Sequence, residues 1–355
     1  MMKMKKLLAC LMATLGMMPA CSQHTFPSVD VDEFAAMLDD PEVVVLDVRT
    51  AEEFAAGHIE NALNIDQSQD NFLEEVERQI PFAAKVAIYC RSGRRSASAA
   101  GILEDNGYNP VNLKGGILAW QEANKPVTTE TQEIDIFKSR SGKLIKVYTL
   151  MHGSVRVDYE GASIYVDPVT RLGDRTIDYS KMPTADLILI THEHPDHFDR
   201  AAIQTLTEER KTFIVTNARC GEMLGGKCHV MANRDELSAN FEVKAVPAYN
   251  VTEGHTQFHP KGRDNGYIVN LDGTNVYFAG DTEPYADMAF ECTAIDIAFL
   301  PCNQPYTMTP DQLVEAAQAI RPKVIFPYHY GDTDVSGLPA RLADQKIDVR
   351  IRHFE

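Results

Sequence analysis

The sequence predicts an α/β protein in two parts, and three observations carry that reading. Residues 26–127 alternate short apolar runs with helical patterns, as in "VVVLDV", "AEEFAAGH", "KVAIYC" and "SASAAGILEDNGY". Such alternation is expected of strands and helices layered around a mostly parallel sheet. Residues 128–143, "TTETQEIDIFKSRSGK", are polar with little periodicity and read as a linker or docking arm. From residue 144 the texture changes: "KVYTLMHGSVRVDYEGASIYVDP" reads as successive β-strands with Gly153 and Gly161 as turn points, and strand–helix alternation then continues to residue 355.

A chain of 355 residues with 44% hydrophobic and 24% charged residues is long enough for two domains with cores of their own. The formal net charge of -17 disfavours a nucleic acid as partner, because affinity for a polyphosphate comes largely from clustered lysine and arginine. At the N-terminus, lysines 3, 5 and 6 precede an apolar stretch too short to span a bilayer, which reads as a secretory signal over residues 1–21. Its end, Met18-Pro19-Ala20-Cys21, resembles the bacterial lipobox, and that resemblance implies a lipid anchor on Cys21, the one membrane contact expected; cleavage near Ala20 without lipidation is the alternative. The expected location is the periplasm or the outer membrane of a bacterium. Setting aside Cys10 and Cys21 leaves five of the seven cysteines, so an exported chain keeps at least one unpaired thiol; Cys220 and Cys228 are near enough in sequence to pair.

In the first part, "KVAIYCRSGRRSASAA" delivers Cys90 from an apolar strand to a glycine-containing turn, and a helix follows near Ser96. A thiolate there would face backbone N–H groups, the positive end of a helix dipole, and Arg91, Arg94 and Arg95. The competing reading is a small buried cysteine beside a surface arginine cluster. The wider segment resembles the rhodanese family. "LDVRTAEEFAAGHIENALNI" is similar to its signatures at Asp47, Arg49, Gly57, His58 and Ile59, and "LKGGILAW" to its closing glycine pair and tryptophan. The resemblance implies that Cys90 carries a persulfide. Ser92, Gly93 and the arginines would hold an anionic sulfur donor such as thiosulfate or a persulfide, with Arg91 and Arg95 as the main anion holders and Asp47 and Arg49 as scaffold. The spacing Cys90 to Arg95 is C-x4-R, shorter than the C-x5-R of the related phosphatases, and suits one extra sulfur atom rather than a tetrahedral anion.

In the second part, "THEHPDHFD" follows the apolar run "LILI" and packs His192, His194, Asp196 and His197 into one loop. With 11 histidines in the chain, chance gives an H-x-H-x-D-H arrangement with odds on the order of one in a thousand. A binuclear centre needs further ligands at later strand ends, and Asp281 in "TNVYFAGDTE" and His329 in "KVIFPYHYGD" meet that need, with His255 and His259 between them. His192 and His194 would point the same way from an extended segment. Asp196 and His197 would turn toward a second ion as a helix begins, capped by Asp199. Nitrogen and carboxylate donors suit two divalent ions, zinc first, with manganese or iron as alternatives.

Over residues 144–355 this set, with "HGSVRVDYEGASIYVDPV", "AGDTE" and "PYHYG", resembles the metallo-β-lactamase superfamily, in particular the branch of ascorbate-phosphate lactonases and N-acyl-phosphatidylethanolamine phospholipases. The implied fold is a four-layer αββα sandwich with metal loops along one edge. The implied ligands are His192, His194 and a third histidine on one ion, Asp196, His197 and His329 on the other, and Asp281 bridging. Asn250 stands where many relatives place the third histidine, so that ligand is expected to be His259, with His255 the weaker candidate. Asp167 is expected as a buried orienting residue and His152 as pocket lining, with a purely structural role as the alternative for either. The expected function is a bifunctional enzyme in which a metal-dependent hydrolase of small lactones, phosphodiesters or other esters, with Asp196 among its catalytic groups, is joined to a sulfurtransferase. Two alternatives stand beside it: a persulfide dioxygenase, or a metallohydrolase whose first domain only senses sulfur or docks a partner.

Overall fold

A computed structural model of the chain describes residues 25–207 and 212–355; the signal segment and Cys21 lie outside the described residues. The first domain runs β1 (Ser28–Val29), α1 (Val31–Leu38), β2 (Val43–Asp47), α2 (Ala51–Ala55), β3 (Leu63–Asn64), α3 (Phe72–Gln79), β4 (Lys85–Tyr89), α4 (Arg94–Asp105), β5 (Asn109–Leu113) and α5 (Gly116–Glu122). Its sheet has the order β1-β5-β4-β2-β3 and is parallel throughout. Because both faces are covered by helices, β2 is buried at all five positions, which is why "VVVLD" shows no alternation. Helix starts follow local rules: Asp30 and Thr50 each form a capping box with the glutamate three residues on, Glu33 and Glu53. A parallel sheet places every strand's C-terminal end on one edge, so Asp47, Cys90 and the Gly115–Gly116 turn share that edge.

The second domain begins earlier than the sequence suggests. Within the polar stretch 128–143, residues Glu133–Lys138 form β6, the edge strand of the next sheet, antiparallel to β7 (Leu144–Met151). The reading of this whole stretch as linker is therefore corrected. Asp135 makes the segment look solvated, yet it is buried and its carboxylate accepts from Arg350 at 2.8 Å and from Arg352 at 2.6 and 2.8 Å. Partners more than 200 residues away neutralise the charge, so no local pattern announces the strand.

From β7 the chain continues through β8 (Ser154–Tyr159), β9 (Ala162–Val166), the short hairpin β10 (Arg171–Leu172) and β11 (Arg175–Thr176), β12 (Leu187–Ile190), α6 (Arg200–Leu206), β13 (Phe213–Thr216), α7 (Ala218–Met223) and β14 (His229–Val230). The second half comprises β15 (Glu236–Ser238), β16 (Glu242–Ala248), β17 (Asp264–Leu271), β18 (Thr274–Phe278), α8 (Met288–Glu291), β19 (Ile297–Pro301), α9 (Pro310–Ile320), β20 (Val324–Tyr328), α10 (Leu338–Leu342) and β21 (Asp348–Val349). Two seven-stranded mixed sheets result, ordered β14-β13-β12-β9-β8-β7-β6 and β15-β16-β17-β18-β19-β20-β21. Their facing sides share one core, with Val147, Val155 and Leu189 from the first sheet against Val243, Tyr267, Phe299 and Phe326 from the second. Helix α6 covers the outside of the first sheet through Ala202, Ile203 and Leu206, and α9 covers the second through Leu313, Ala316 and Ala317. This is the four-layer sandwich expected.

The domains meet along β6–β7. The Leu144 N–H donates to Glu42 at 3.0 Å, Lys146 donates to the Val43 carbonyl at 2.9 Å, and Lys138 donates to the Phe82 carbonyl. Thr128 and His58 exchange backbone hydrogen bonds at 2.9 Å. All these first-domain groups precede a strand or, in the case of Val43, open one, so the second domain docks on the N-terminal edge of the parallel sheet, opposite the edge that carries Cys90. Among the described residues, no helix is long and apolar enough to cross a membrane.

Candidate functional site

Two constellations stand out, one in each domain. In the second, strand ends from both sheets converge on a buried cluster. Strand β12 delivers Thr191 and His192. The chain then turns tightly, with the N–H groups of His197 and Phe198 both donating to the His194 carbonyl, at 2.9 and 2.8 Å. Asp196 and His197 thus sit in this turn, and the helix starts only at Arg200. Asp199 caps it, accepting from Ala201 at 2.8 Å. Beyond β18, Gly280 takes a left-handed φ of 62°, and a Cβ there would lie 3.0 Å from the Thr191 side chain, so glycine lets the Asp281 turn press against the His192 loop. His329 follows β20.

Donor atoms fall into two groups, His192, His194, His259 and Asp281, and His152, Asp196, His197 and His329, with the atoms of each group within 4.8 Å of one another. Asp281 lies between them: its Oδ2 is 3.1 Å from His259 Nε2, 3.8 Å from His192 Nε2 and 3.4 Å from His329 Nε2, and its Oδ1 is 3.2 Å from His197 Nε2. This is the position of a bridging ligand. The geometry brings His259 into the cluster and leaves His255 outside it. His255 Nδ1 instead meets the buried Glu283 at 3.2 Å, and Glu283 also accepts from the N–H groups of Val251 and Thr252, at 2.7 and 2.6 Å. Asn250 donates its N–H to the His259 carbonyl at 2.9 Å and so holds the ligand loop.

The cluster fits metal ions. The Nε2 atoms of His192, His197, His259 and His329, together with Asp281 Oδ1, are buried without a hydrogen-bond partner. Buried polar atoms are rarely left so, and five of them converging on one point offer lone pairs to cations. The opposite ring edges of three of these histidines are fixed, while His329 Nδ1 has no hydrogen-bond partner. His197 Nδ1 lies 2.8 Å from Asp167, His259 Nδ1 lies 3.1 Å from Asp264, and His192 Nδ1 lies 3.0 Å from Thr191 Oγ1. Outer partners of this kind set the tautomer and aim Nε2 inward. Asp167 thus takes an orienting position, and it also accepts from Thr191 N and Oγ1 at 2.8 and 2.6 Å. Burial would push the Asp281 carboxyl up, but His329, His197 and His259 outweigh it and hold the group well below its ordinary range. Burial and neighbouring imidazoles push His192 down, toward the neutral form that ligates. His152 lies inside the second group rather than along a pocket wall. Sequence reasoning missed Asp264, whose one signal is an acid placed five residues after His259 at a strand start.

In the first domain, Cys90 is buried at 1% exposure behind the turn Arg91–Gly93. Burial pushes its thiol up, yet the Ser96 hydroxyl and the N–H groups of Ser96, Ser92 and Gly93 more than offset that and hold it below the ordinary value. The Ser96 hydroxyl lies 3.4 Å from Sγ; sequence reasoning had used this serine only as a helix start. Arg91 and Arg94 are exposed, with Ser92, on the rim. Arg95 donates one N–H of its guanidinium to Glu53 of α2 at 2.7 Å, so its charge is partly balanced there as well as acting on Cys90. Asp47 and Arg49 form a buried pair at 2.6 Å, and Arg49 also donates to the Gly57 carbonyl at 2.7 Å. Cys220 and Cys228 are both free thiols.

A double-sheet sandwich with an H-x-H-x-D-H loop, a later histidine, a bridging aspartate and a final histidine along one edge defines the metal-dependent hydrolases of the metallo-β-lactamase fold. The chain belongs to that superfamily: residues 146–329, more than half of its length, match the β-lactamase superfamily domain, and residues 30–123 match the rhodanese-like domain. A UPF0173 metal-dependent hydrolase of Geobacillus sp. (strain WCH70) is 30% identical over 190 residues, covering 50% of this chain and 82% of the relative. A solved structure described as a metal-dependent hydrolase from Parabacteroides distasonis superposes with a TM-score of 0.60 at 45% identity, covering 63% of this chain and all of that one. Igni18, a metallo hydrolase from Ignicoccus hospitalis, gives 0.50 at 25% identity, with 59% and 94% covered.

Proposed function

We propose that the chain is an exported two-site enzyme: a binuclear metal-dependent hydrolase acting on lactone, phosphodiester or other ester-type bonds, joined to a sulfurtransferase that carries a persulfide on Cys90. The convergence of unpartnered, buried Nε2 atoms on Asp281 supports the hydrolase reading most directly. Two divalent ions, zinc first by donor chemistry, would supply an activated water and electrostatic stabilisation of the developing oxyanion. The protein's own part is to hold His192, His194 and His259 on one side of Asp281, and Asp196, His197 and His329 on the other. Asp196, with 31% of its side chain exposed against 3% for Asp281, is the carboxylate of the cluster that substrate or solvent can reach. Around the mouth, Tyr306 is 44% exposed and meets Phe258 edge-on, and Lys261 lies over the Tyr249 ring at 5.3 Å.

In the first domain, Cys90 Sγ attacks the outer sulfur of thiosulfate. The S–S bond breaks, sulfite leaves, and the persulfide passes that sulfur to a thiolate or cyanide while the Cys90 thiolate is restored. Residues 1–21 act as signal, with a lipid on Cys21 as the membrane contact. Elemental analysis followed by a panel of lactones, phosphodiesters and thioesters tests the hydrolase. Two ions per chain and metal-dependent turnover of one class are expected; a chain that binds no metal would refute it. Replacing Cys90 with serine is expected to abolish thiosulfate:cyanide sulfurtransferase activity, and replacing Cys21 with alanine to move the protein from the membrane to the soluble fraction.

A further inference from the structure

The second donor group contains one imidazole that the expected ligand set does not use. We propose that His152 is itself a metal ligand, its Nε2 joining Asp196, His197 and His329 around the second ion; this rests on the reading of the cluster as a two-ion centre. Spacing is the first argument. Two donors on one tetrahedral ion, each about 2.0–2.1 Å from it, stand about 3.3 Å apart. His152 Nε2 lies 3.2 Å from Asp196 Oδ2, in line with 3.6 Å for His329 to Asp196 and 3.1 Å for His259 to Asp281.

The other side of the ring supplies the second argument. His197 and His259 each place Nδ1 against a carboxylate, Asp167 and Asp264, so that Nε2 keeps its lone pair for an ion. His152 does the same with Glu355, at 3.1 Å, and Glu355 is itself fixed by the N–H of Tyr330 at 2.9 Å. With Nδ1 turned to Glu355, Nε2 is the ring atom that faces Asp196 Oδ2, at 3.2 Å, and a cation between the two would be held by both.

Backbone geometry is the third argument. His152 sits in the left-handed region at φ 54°, a conformation that costs a non-glycine residue about 1 kcal/mol. Its N–H donates to Phe354 O at 2.6 Å and its carbonyl accepts from His329 N at 3.3 Å, while its ring lies 3.7 Å from that of His329. A Cβ on the neighbouring Gly153 would lie 2.8 Å from His197 Cε1, so glycine at that position is what lets the His152 turn pack against the cluster.

The test compares wild type with His152→Gln, His152→Ala and Glu355→Gln by elemental analysis after dialysis against a weak chelator, and by the visible absorption of the cobalt(II)-substituted proteins. Wild type is expected to keep two ions. Both His152 variants are expected to keep one, with the second bound at least tenfold more weakly and its cobalt bands altered, and Glu355→Gln to show a smaller loss in the same direction. Equal melting temperatures of the metal-free proteins would show that the variants fold. Two ions of unchanged affinity and spectrum in both His152 variants would overturn the proposal and make His152 a hydrogen-bond partner of Asp196. A wild type that binds no ion would instead remove the two-ion reading on which it rests.

Discussion

At the scale of single residues, the side chains that orient the ligands are as consequential as the ligands. Asp167 and Asp264 hold His197 and His259 by Nδ1, so Asp264→Asn should weaken metal binding about 10- to 100-fold without unfolding the chain, read by chelator competition. Asn250 and Glu283, which position the His259 loop, were invisible as such in the sequence. The ligand motif itself was legible because six of its members come from one loop or from apolar strand ends. Which of His255 and His259 joins it was decided by where a loop folds back, and nothing in "EGHTQFHPKG" encodes that. Likewise, nothing near Arg95 in the sequence shows that α2 brings Glu53 to within 2.7 Å of its guanidinium. At Cys90 the depressed thiol makes a signed prediction. The thiolate is the nucleophile, so persulfide formation falls as pH drops through the thiol pKa, and that midpoint lies below the ordinary thiol value. Ser96→Ala removes a hydroxyl whose one proton is shared between Asn112 Oδ1 at 2.6 Å and Sγ at 3.4 Å, and should shift the midpoint of the rate–pH profile modestly upward; an unmoved midpoint would show that the loop amides alone set it.

At the scale of elements, strand ends do the positioning, and the tolerance of each turn follows from what it touches. Gly116 opens α5 at φ 59°, and a Cβ there would lie 2.3 Å from the Cys90 carbonyl oxygen and 2.6 Å from the Arg91 carbonyl carbon. Backbone atoms cannot yield as a side chain does. Gly116→Ala should therefore displace the Cys90 turn and lose most sulfurtransferase activity while metal content stays at the wild-type level. Strand β6 makes the complementary case. Its Asp135 takes charge-assisted bonds from Arg350 and Arg352, which lie beyond β21. Asp135→Asn would leave two partly buried guanidinium groups short of a counter-charge and should cost about 2 kcal/mol, read as a lower melting temperature. The parallel first domain was legible because its strands are continuous apolar runs between helical periods. Strand β6 was not, because its stability comes from a pairing more than 200 residues distant and from packing of Ile134 and Ile136 on the first domain rather than from its own pattern.

At the scale of the whole molecule, topology would keep the two proposed chemistries apart. The described polar contacts between the domains come from groups that precede or open a strand of the parallel sheet, Glu42, Val43, Phe82 and His58. Cys90 follows β4, so the length of that strand, five residues at about 3.3 Å each, puts about 17 Å of sheet between the sulfur and the docking edge. The metal cluster lies beyond that edge, past the end of β7. Sulfur transfer needs contact between the atoms exchanging it, so the proposed persulfide on Cys90 would meet acceptors that reach it from outside the chain, and the two sites should work independently. Removing the metal with a chelator is accordingly expected to leave thiosulfate:cyanide activity unchanged, and Cys90→Ser to leave metal content and hydrolysis unchanged. The sharper version follows the sulfur itself. Protein loaded at Cys90 from thiosulfate and freed of donor should keep its added 32 Da by mass spectrometry equally well with and without metal, and lose it only when a thiol or cyanide is supplied. Faster loss in the metal-loaded chain with no added acceptor would mean that the sulfur reaches the metal centre, and would require a domain arrangement other than docking on the N-terminal edge.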